Sequence, residues 1–495
     1  MHLHRSVLRP HLGAGCACFG VTAALVCAAL RPAAPLSAVP LSAVPLSAVP
    51  AGARGDEAAA PAIDYGRVRE LMSDQKKTRR AAAKALLDAG DPALVPVVAD
   101  ALFFIPSEAR DEALRVLERL TGERRGRRYL AWVEVVGARP DLGVPAGYRE
   151  WKRSLLERID PRYRSILPGD DAHADTVKLR LEEVVWGGVR VEGIPALESP
   201  PKVAAAEADV FMQAGDRVLG VSLEGRHHAY PVKVLSWHEM VNDTLAGRPH
   251  TLSYCTLCGS AVLYDTRRPD AEPLTFGTSG LLYRSNKLML DRQTGSLWHN
   301  LGGEAVVGPM AAAGAVLEML PVTLTTWSRW REAHPDTTVA RPDPAFGSRF
   351  GFEYAEGAAD ARREGVSFPV WQKSARFDDK TEVLALLLDG RTKAYDLEAL
   401  AAARVVNDSL GGMPLVVLVG ADGGARAYRR GDRAFAPAGP DALGDQDGRS
   451  WTVTESALEP PAGSGLEPLD RLPSHVAFWF GWFGFYPDTE VFPEE

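Results

Sequence analysis

Cysteine is almost missing from the body of this chain. Of five cysteines in 495 residues, Cys16, Cys18 and Cys27 fall in an N-terminal apolar run, which leaves Cys255 and Cys258 by themselves. A framework of several disulfides is therefore excluded, and a second C-x-x-C that could complete a four-cysteine zinc site is absent. Positive charge is not in excess either. The net charge of −8 offers no basic field for a phosphate backbone, so nucleic acid is not an expected partner. No G-x-S-x-G, HExxH or phosphate loop occurs, so no nucleotide cofactor is expected and the question of enzymatic activity stays open. With 46% apolar and 24% charged residues, the composition is that of a folded globular protein rather than a disordered one.

What is present falls into blocks. Arg5 and Arg9 precede an uncharged run from Leu12 to Leu30, so residues 1–34 read as a signal peptide or membrane anchor. Residues 35–60 repeat "PLSAV" and are too rich in proline and small side chains to fold, which makes them a tether. The protein is accordingly expected in the periplasm or outside the cell. From 61 to 167 the pattern is helical, with Gly90 and Gly122 as stops, and predicts a small HEAT-like helical domain.

Beyond it the texture changes to short strands and glycine turns, and an internal repeat appears. Gly225, Arg226, Tyr230, Leu235, Val241, Asn242, Asp243, Leu245, Gly247 and Pro249 recur 165 residues later as Gly390, Arg391, Tyr395, Leu400, Val406, Asn407, Asp408, Leu410, Gly412 and Pro414. The pattern W-x-x-W-x-x-x-x-P-D-T-x-V closes both stretches, at Trp327 and at Trp479. The expected fold class is α+β: the helical domain, then two duplicated, mainly antiparallel β domains each with one helix, at 174–340 and 376–495, joined by a connector at 341–375. "YPVKVLSWHEMVND" and its partner "YDLEALAAARVVND" read as that helix, ending in a V-N-D turn. Cys255 and Cys258 then fall at the tip of a following hairpin.

Residues kept in both copies read as scaffold, and those in one copy as candidates for function. The first copy alone has Trp237, His238, Glu239, Cys255 and Cys258. On the expected helix His238 shares a face with Val234, Val241 and Leu245, where the second copy has only apolar residues. Three readings of the cysteine pair stand side by side. C-x-x-C-G on a tight turn suits a thiophilic metal, zinc or copper, with His238 and His299 as the further ligands. A thiol redox pair is the second reading, although a hairpin tip lacks the helix N-terminus that lowers a thiol pKa. The third is a static disulfide in a ligand-binding or interaction scaffold. Trp237, Glu239, Tyr283 and Asn286 are candidate pocket residues, and the tryptophan pairs Trp327/Trp330 and Trp479/Trp482 read as core.

"VEGIPALESP", "AYPVKVLSWHEMVND", "SYCTLCGSAVLYD", "FGTSGLLYRSNKLMLDRQTGSLW" and "HPDTTV" together resemble the bacterial and archaeal family of domain of unknown function 3179, over residues 174 to 340. Thr256 stands where that family usually has proline, and His299 where it has serine or asparagine. The resemblance implies a residue set and no activity.

Overall fold

The structure, a computed structural model, describes residues 63–343, 345–346, 354 and 365–494. The expected export segment and tether lie outside these residues. No helix among the described residues is long and apolar enough to cross a membrane.

The chain is a mixed α+β protein. Seven helices between Tyr65 and Ile166 form the N-terminal region. Gly90 and Gly122 end two of them in the left-handed conformation that costs glycine little. Inside, Lys152 Nζ and Tyr148 Oη both reach Asp100, at 2.5 and 2.7 Å. The apolar faces of these helices share a core with the first sheets: Val95, Trp132 and Trp151 belong to the same cluster as Val184, Leu281 and Val307. Tyr163 Oη reaches across to the Ser279 carbonyl at 2.8 Å.

Residues 184–340 form three five-stranded sheets, and residues 382–492 a four-stranded and an eight-stranded one. The eight-stranded sheet curls into a near-barrel. Its edge strand Val405–Leu410 returns to the opposite edge, where Asn407 donates to Phe435 O and accepts from Phe435 N at 2.7 and 2.8 Å. In the first half Asn242 holds Phe276 O and N in the same way, at 2.8 and 2.9 Å. Other bonds also come in matched pairs. Tyr230 Oη donates to Asp243, and Tyr395 Oη to Asp408, both at 2.8 Å. Trp298 Nε1 reaches Asp291 at 2.8 Å, and Trp451 Nε1 reaches Asp445 at 3.0 Å. Trp330 and Trp482 are fully buried and donate to Thr337 and Thr489. The tryptophans therefore serve the core.

The helix expectation needs correction. The helix is Val232–His238, seven residues, and Glu239 stops it at φ 58. Met240–Leu245 is a strand, paired with Arg248–Cys255 through a tight turn at Ala246 and Gly247, both with positive φ. Asn242 and Asp243 thus lie in mid-strand and not in a turn, and Val241 and Leu245 share no helix face with His238. The alanine-rich counterpart misleads in the same way, for its helix ends at Ala403 and the β-branched Val405 and Val406 already belong to a strand.

The Asn242 clamp carries a test. Asn242→Ala leaves the buried amide and carbonyl of Phe276 without partners, a cost of about 2–6 kcal/mol at 1–3 kcal/mol per group. Chemical denaturation should show that loss, and a wild-type midpoint would mean that water replaces the amide.

Candidate functional site

Cys255 ends one strand and Ser260, its partner across the hairpin, begins the next, so Thr256 to Gly259 form the tip. Gly259 takes φ 56 there. Both cysteines are free thiols and buried, at 1% and 0% exposure. The tip is covered from the second half and the connector before it: Phe478 N donates to Cys258 O at 2.7 Å, and Phe478, Phe480 and Val370 pack on the two cysteines. A Cβ on Gly481 would stand 2.9 Å from Cys258 Cβ, so glycine is what allows that close approach.

On the other side lies the turn Arg284–Ser285, where both residues take positive φ although neither is glycine. Such a turn stores roughly 1–3 kcal/mol of strain per residue and needs outside support. Arg284 supplies it, bonded to Glu183 at 2.8 Å and to Gly484 O at 3.1 Å. The turn offers the Ser285 carbonyl to the Cys258 thiol at 3.2 Å. Asn286, next in the chain, also bonds Cys258 and lies 3.4 Å from Ser260 Oγ. Ser260 in turn accepts from Asn300 Nδ2 at 3.1 Å, so a buried polar chain leads away from Cys258.

Lys287 is the residue that sequence reasoning missed. It is 4% exposed, and its ammonium donates to Glu239 O at 2.6 Å and Tyr254 O at 2.8 Å, with Glu239 Oε2 at 3.7 Å. Burial pulls its pKa down. A signal was available: a lysine set against the apolar run "LMLD" in a strand has no polar face to occupy.

These neighbours make the two thiols unequal. Cys255 is held below the ordinary thiol range, chiefly by the Cys258 thiol, whose one proton it shares with Ser285 O. The charge and backbone N–H of Lys287 work in the same direction, against burial and the Glu239 charge. Burial pushes Cys258 well up, and its bond to Cys255 adds to that. Beside the pair is a cavity of about 180 Å³, lined among others by Glu239, Thr256, Leu257, Thr278, Lys287 and Phe368.

The other expected site residues are placed elsewhere. His238 bonds Pro195 O through Nδ1 and Tyr354 Oη through Nε2, each at 2.8 Å, and burial lowers its pKa. His299 lies tilted against Phe485, ring centres 4.2 Å apart, and meets Glu304 at 3.3 Å through Nδ1, while its buried Nε2 has no hydrogen-bond partner. Tyr283 packs edge-on against Phe485, and Trp237 is half-buried on the helix. Among the described residues, no group of three or more histidine, cysteine or acidic side chains is arranged to hold a metal ion. The structure therefore brings Cys255 and Cys258 together with Asn286, Glu239 and Lys287, and leaves His238 and His299 apart from them.

Residues 191–489 match the family described as protein of unknown function (DUF3179), and the chain belongs to that family. No curated protein and no solved structure matches it.

The thiol asymmetry has a signed pH dependence. An unfolded thiol titrates near about 8.5. Cys255, lowered in the folded chain, contributes stability that is present above that pH and lost as pH falls through its folded pKa. Cys258, raised, contributes stability that is present below about pH 8.5 and lost as pH rises toward its folded pKa. In an ultraviolet thiolate titration the native protein should show one early step and one very late one. Cys258→Ala removes the neighbour that most lowers Cys255, so the early step should move to higher pH. An unmoved step would mean that Cys258 does not support the Cys255 thiolate.

Proposed function

We propose that this DUF3179 protein is exported and internally duplicated, and that its first copy carries a buried dithiol that works as a two-electron thiol–disulfide couple. The matched hydrogen bonds of the two halves support the duplication, together with the identities at constant spacing. The basic start and the Leu12–Leu30 run support export. One observation carries the chemistry: two free cysteines share one hairpin tip, with a buried ammonium beside Cys255 and a carbonyl on the thiol of Cys258.

In this reading the Cys255 thiolate attacks one sulfur of a substrate disulfide, that S–S bond breaks, and a thiolate leaves. Cys258 then gives its proton to the leaving thiolate and attacks Cys255. A Cys255–Cys258 bond forms and the second substrate thiolate departs. The protein loses two electrons and the substrate gains them, so one disulfide becomes a thiol and a thiolate, and the thiolate takes from water the proton that Cys255 gave up on ionising.

A second reading keeps a thiophilic metal. Zinc asks for four ligands, and no third donor stands with the two sulfurs among the described residues. Monovalent copper is satisfied by two thiolates, so of the two metals it suits the donor set better.

Equilibration of the full chain in graded thiol–disulfide buffers, followed by denaturing alkylation and mass measurement, separates these readings. The dithiol reading expects both thiols to disappear in one step, and Cys255→Ser to abolish that step. Thiols that stay reduced in the most oxidising buffer would sink it. Retention of one copper ion per chain after anaerobic loading would favour the second reading.

A further inference from the structure

The cavity next to the dithiol has a chemical polarity, and Glu239 sets it. This residue ends the Val232–His238 helix at φ 58, and the left-handed stop turns its side chain off the helix and into the cavity wall. A carboxylate offers about four acceptor positions. Here they meet one 3.4 Å bond from Thr256 Oγ1 and the 3.7 Å ion pair with Lys287. Lys287 is differently placed, because two of its three N–H groups are spent on the Glu239 and Tyr254 carbonyls and the third faces Glu239. The cavity thus presents an under-satisfied anion and no cation with bonding capacity to spare. Leu257, Leu281, Leu282 and Phe368 make the rest of its wall apolar. Its volume of about 180 Å³ suits a compact ligand.

We propose that the substrate of the dithiol is a small disulfide bearing an ammonium group, whose cation Glu239 binds in this cavity. The proposal rests on the thiol–disulfide reading and names the substrate for it. Thr256 is both the hydrogen-bond partner of Glu239 and the residue that follows Cys255. A ligand cation that takes over the carboxylate releases Thr256 and loosens the tip on the cavity side. The exchange balances as above: the ammonium disulfide accepts two electrons, one proton from Cys258 and one from water and leaves as two amino-thiols, while Cys255 and Cys258 become joined. The second half has Arg404 at the corresponding helix stop, φ 64, and glycines at 420 and 423, so neither the anion nor the thiols are kept there.

The test compares the oxidation rates of the reduced full chain by three disulfides of similar size: cystamine, bis(2-hydroxyethyl) disulfide and dithiodipropionate. Rates are taken at physiological ionic strength, where the general field of a chain of net charge −8 is largely screened. The expected order is cystamine first and dithiodipropionate last, with a ratio of about tenfold or more, as one partly buried charge contact gives. Glu239→Gln keeps both carbonyl bonds of Lys287, so the fold should survive. It also removes a charge that opposes the Cys255 thiolate, so absolute rates can rise with every disulfide, and the ratio is the readout. That ratio should fall toward one in Glu239→Gln and stay at the native value in Glu224→Gln, a change at an exposed carboxylate. A native ratio near one, or a ratio that Glu239→Gln leaves unchanged, overturns the proposal while the dithiol reading stands. If none of the three disulfides oxidises the pair, the dithiol reading fails and the substrate proposal with it.

Discussion

A lysine ammonium without water must be ringed by acceptors, because desolvating it costs several kcal/mol that only good partners offset. Lys287 imposes this constraint on the first half. Its acceptors are the carbonyl at the helix stop, Glu239, and the carbonyl just before Cys255, Tyr254. Those two groups belong to a helix end and to the end of a strand, and Lys287 itself sits on a strand of another sheet. The charge therefore draws three separate elements to one point, and the Cys255 sulfur lies within its field. Removing the charge would loosen the packing of the hairpin tip as well as the state of the thiol.

The second half completes this enclosure. Phe478 and Gly481 close over Cys258, and the two halves are tied by Arg217 to Glu382 at 2.7 Å and by Thr323 to Glu455 at 2.9 Å. Glu455 also meets Arg426 and Arg471, and Arg426 bonds Asp422 in the loop that follows the strand Met413–Val419. Where the first half has a dithiol at its tip, the second has this buried ion cluster. A duplicated domain that loses its site can still be kept if its surface has become a wall of the surviving one. On the duplication reading, that describes the strand His475–Phe478 and the helix after it.

Much of this was legible in the chain, and the rest was hidden for definite reasons. The hairpin that carries the cysteines follows from a buried apolar strand, a glycine turn and a returning strand, all local signals. The tryptophan pairs were readable as core because their spacing repeats. The helix was read too long because "HEMVND" keeps helical spacing, and the stop is a left-handed glutamate rather than a glycine. His238 looked like a ligand because its counterpart is alanine, yet its partner is Tyr354, 116 residues away in the connector. Neither distance nor identity of that partner leaves a mark in the local sequence. Lys287 is masked by the polar residues Arg284, Ser285 and Asn286 directly before it, although a lysine among apolar strand neighbours is itself a sign of a buried function.

The inequality of the two thiols also orders events at the site on the dithiol reading. Phe478, Phe480 and Val370 pack on both cysteines, but Cys258 is held to its proton while Cys255, next to the ammonium of Lys287, is shifted toward the thiolate. Attack on a substrate must therefore begin at Cys255. While Cys255 is a thiolate, the hydrogen bond from Cys258 stabilises it. Once Cys255 is tied up in a mixed disulfide that bond has no anion to serve, and the reason for Cys258 to hold its proton weakens. The same contact that activates the first thiol restrains the second until the first has reacted. Premature attack by Cys258 is thus opposed by burial and by its own role as donor, and no separate gate is needed.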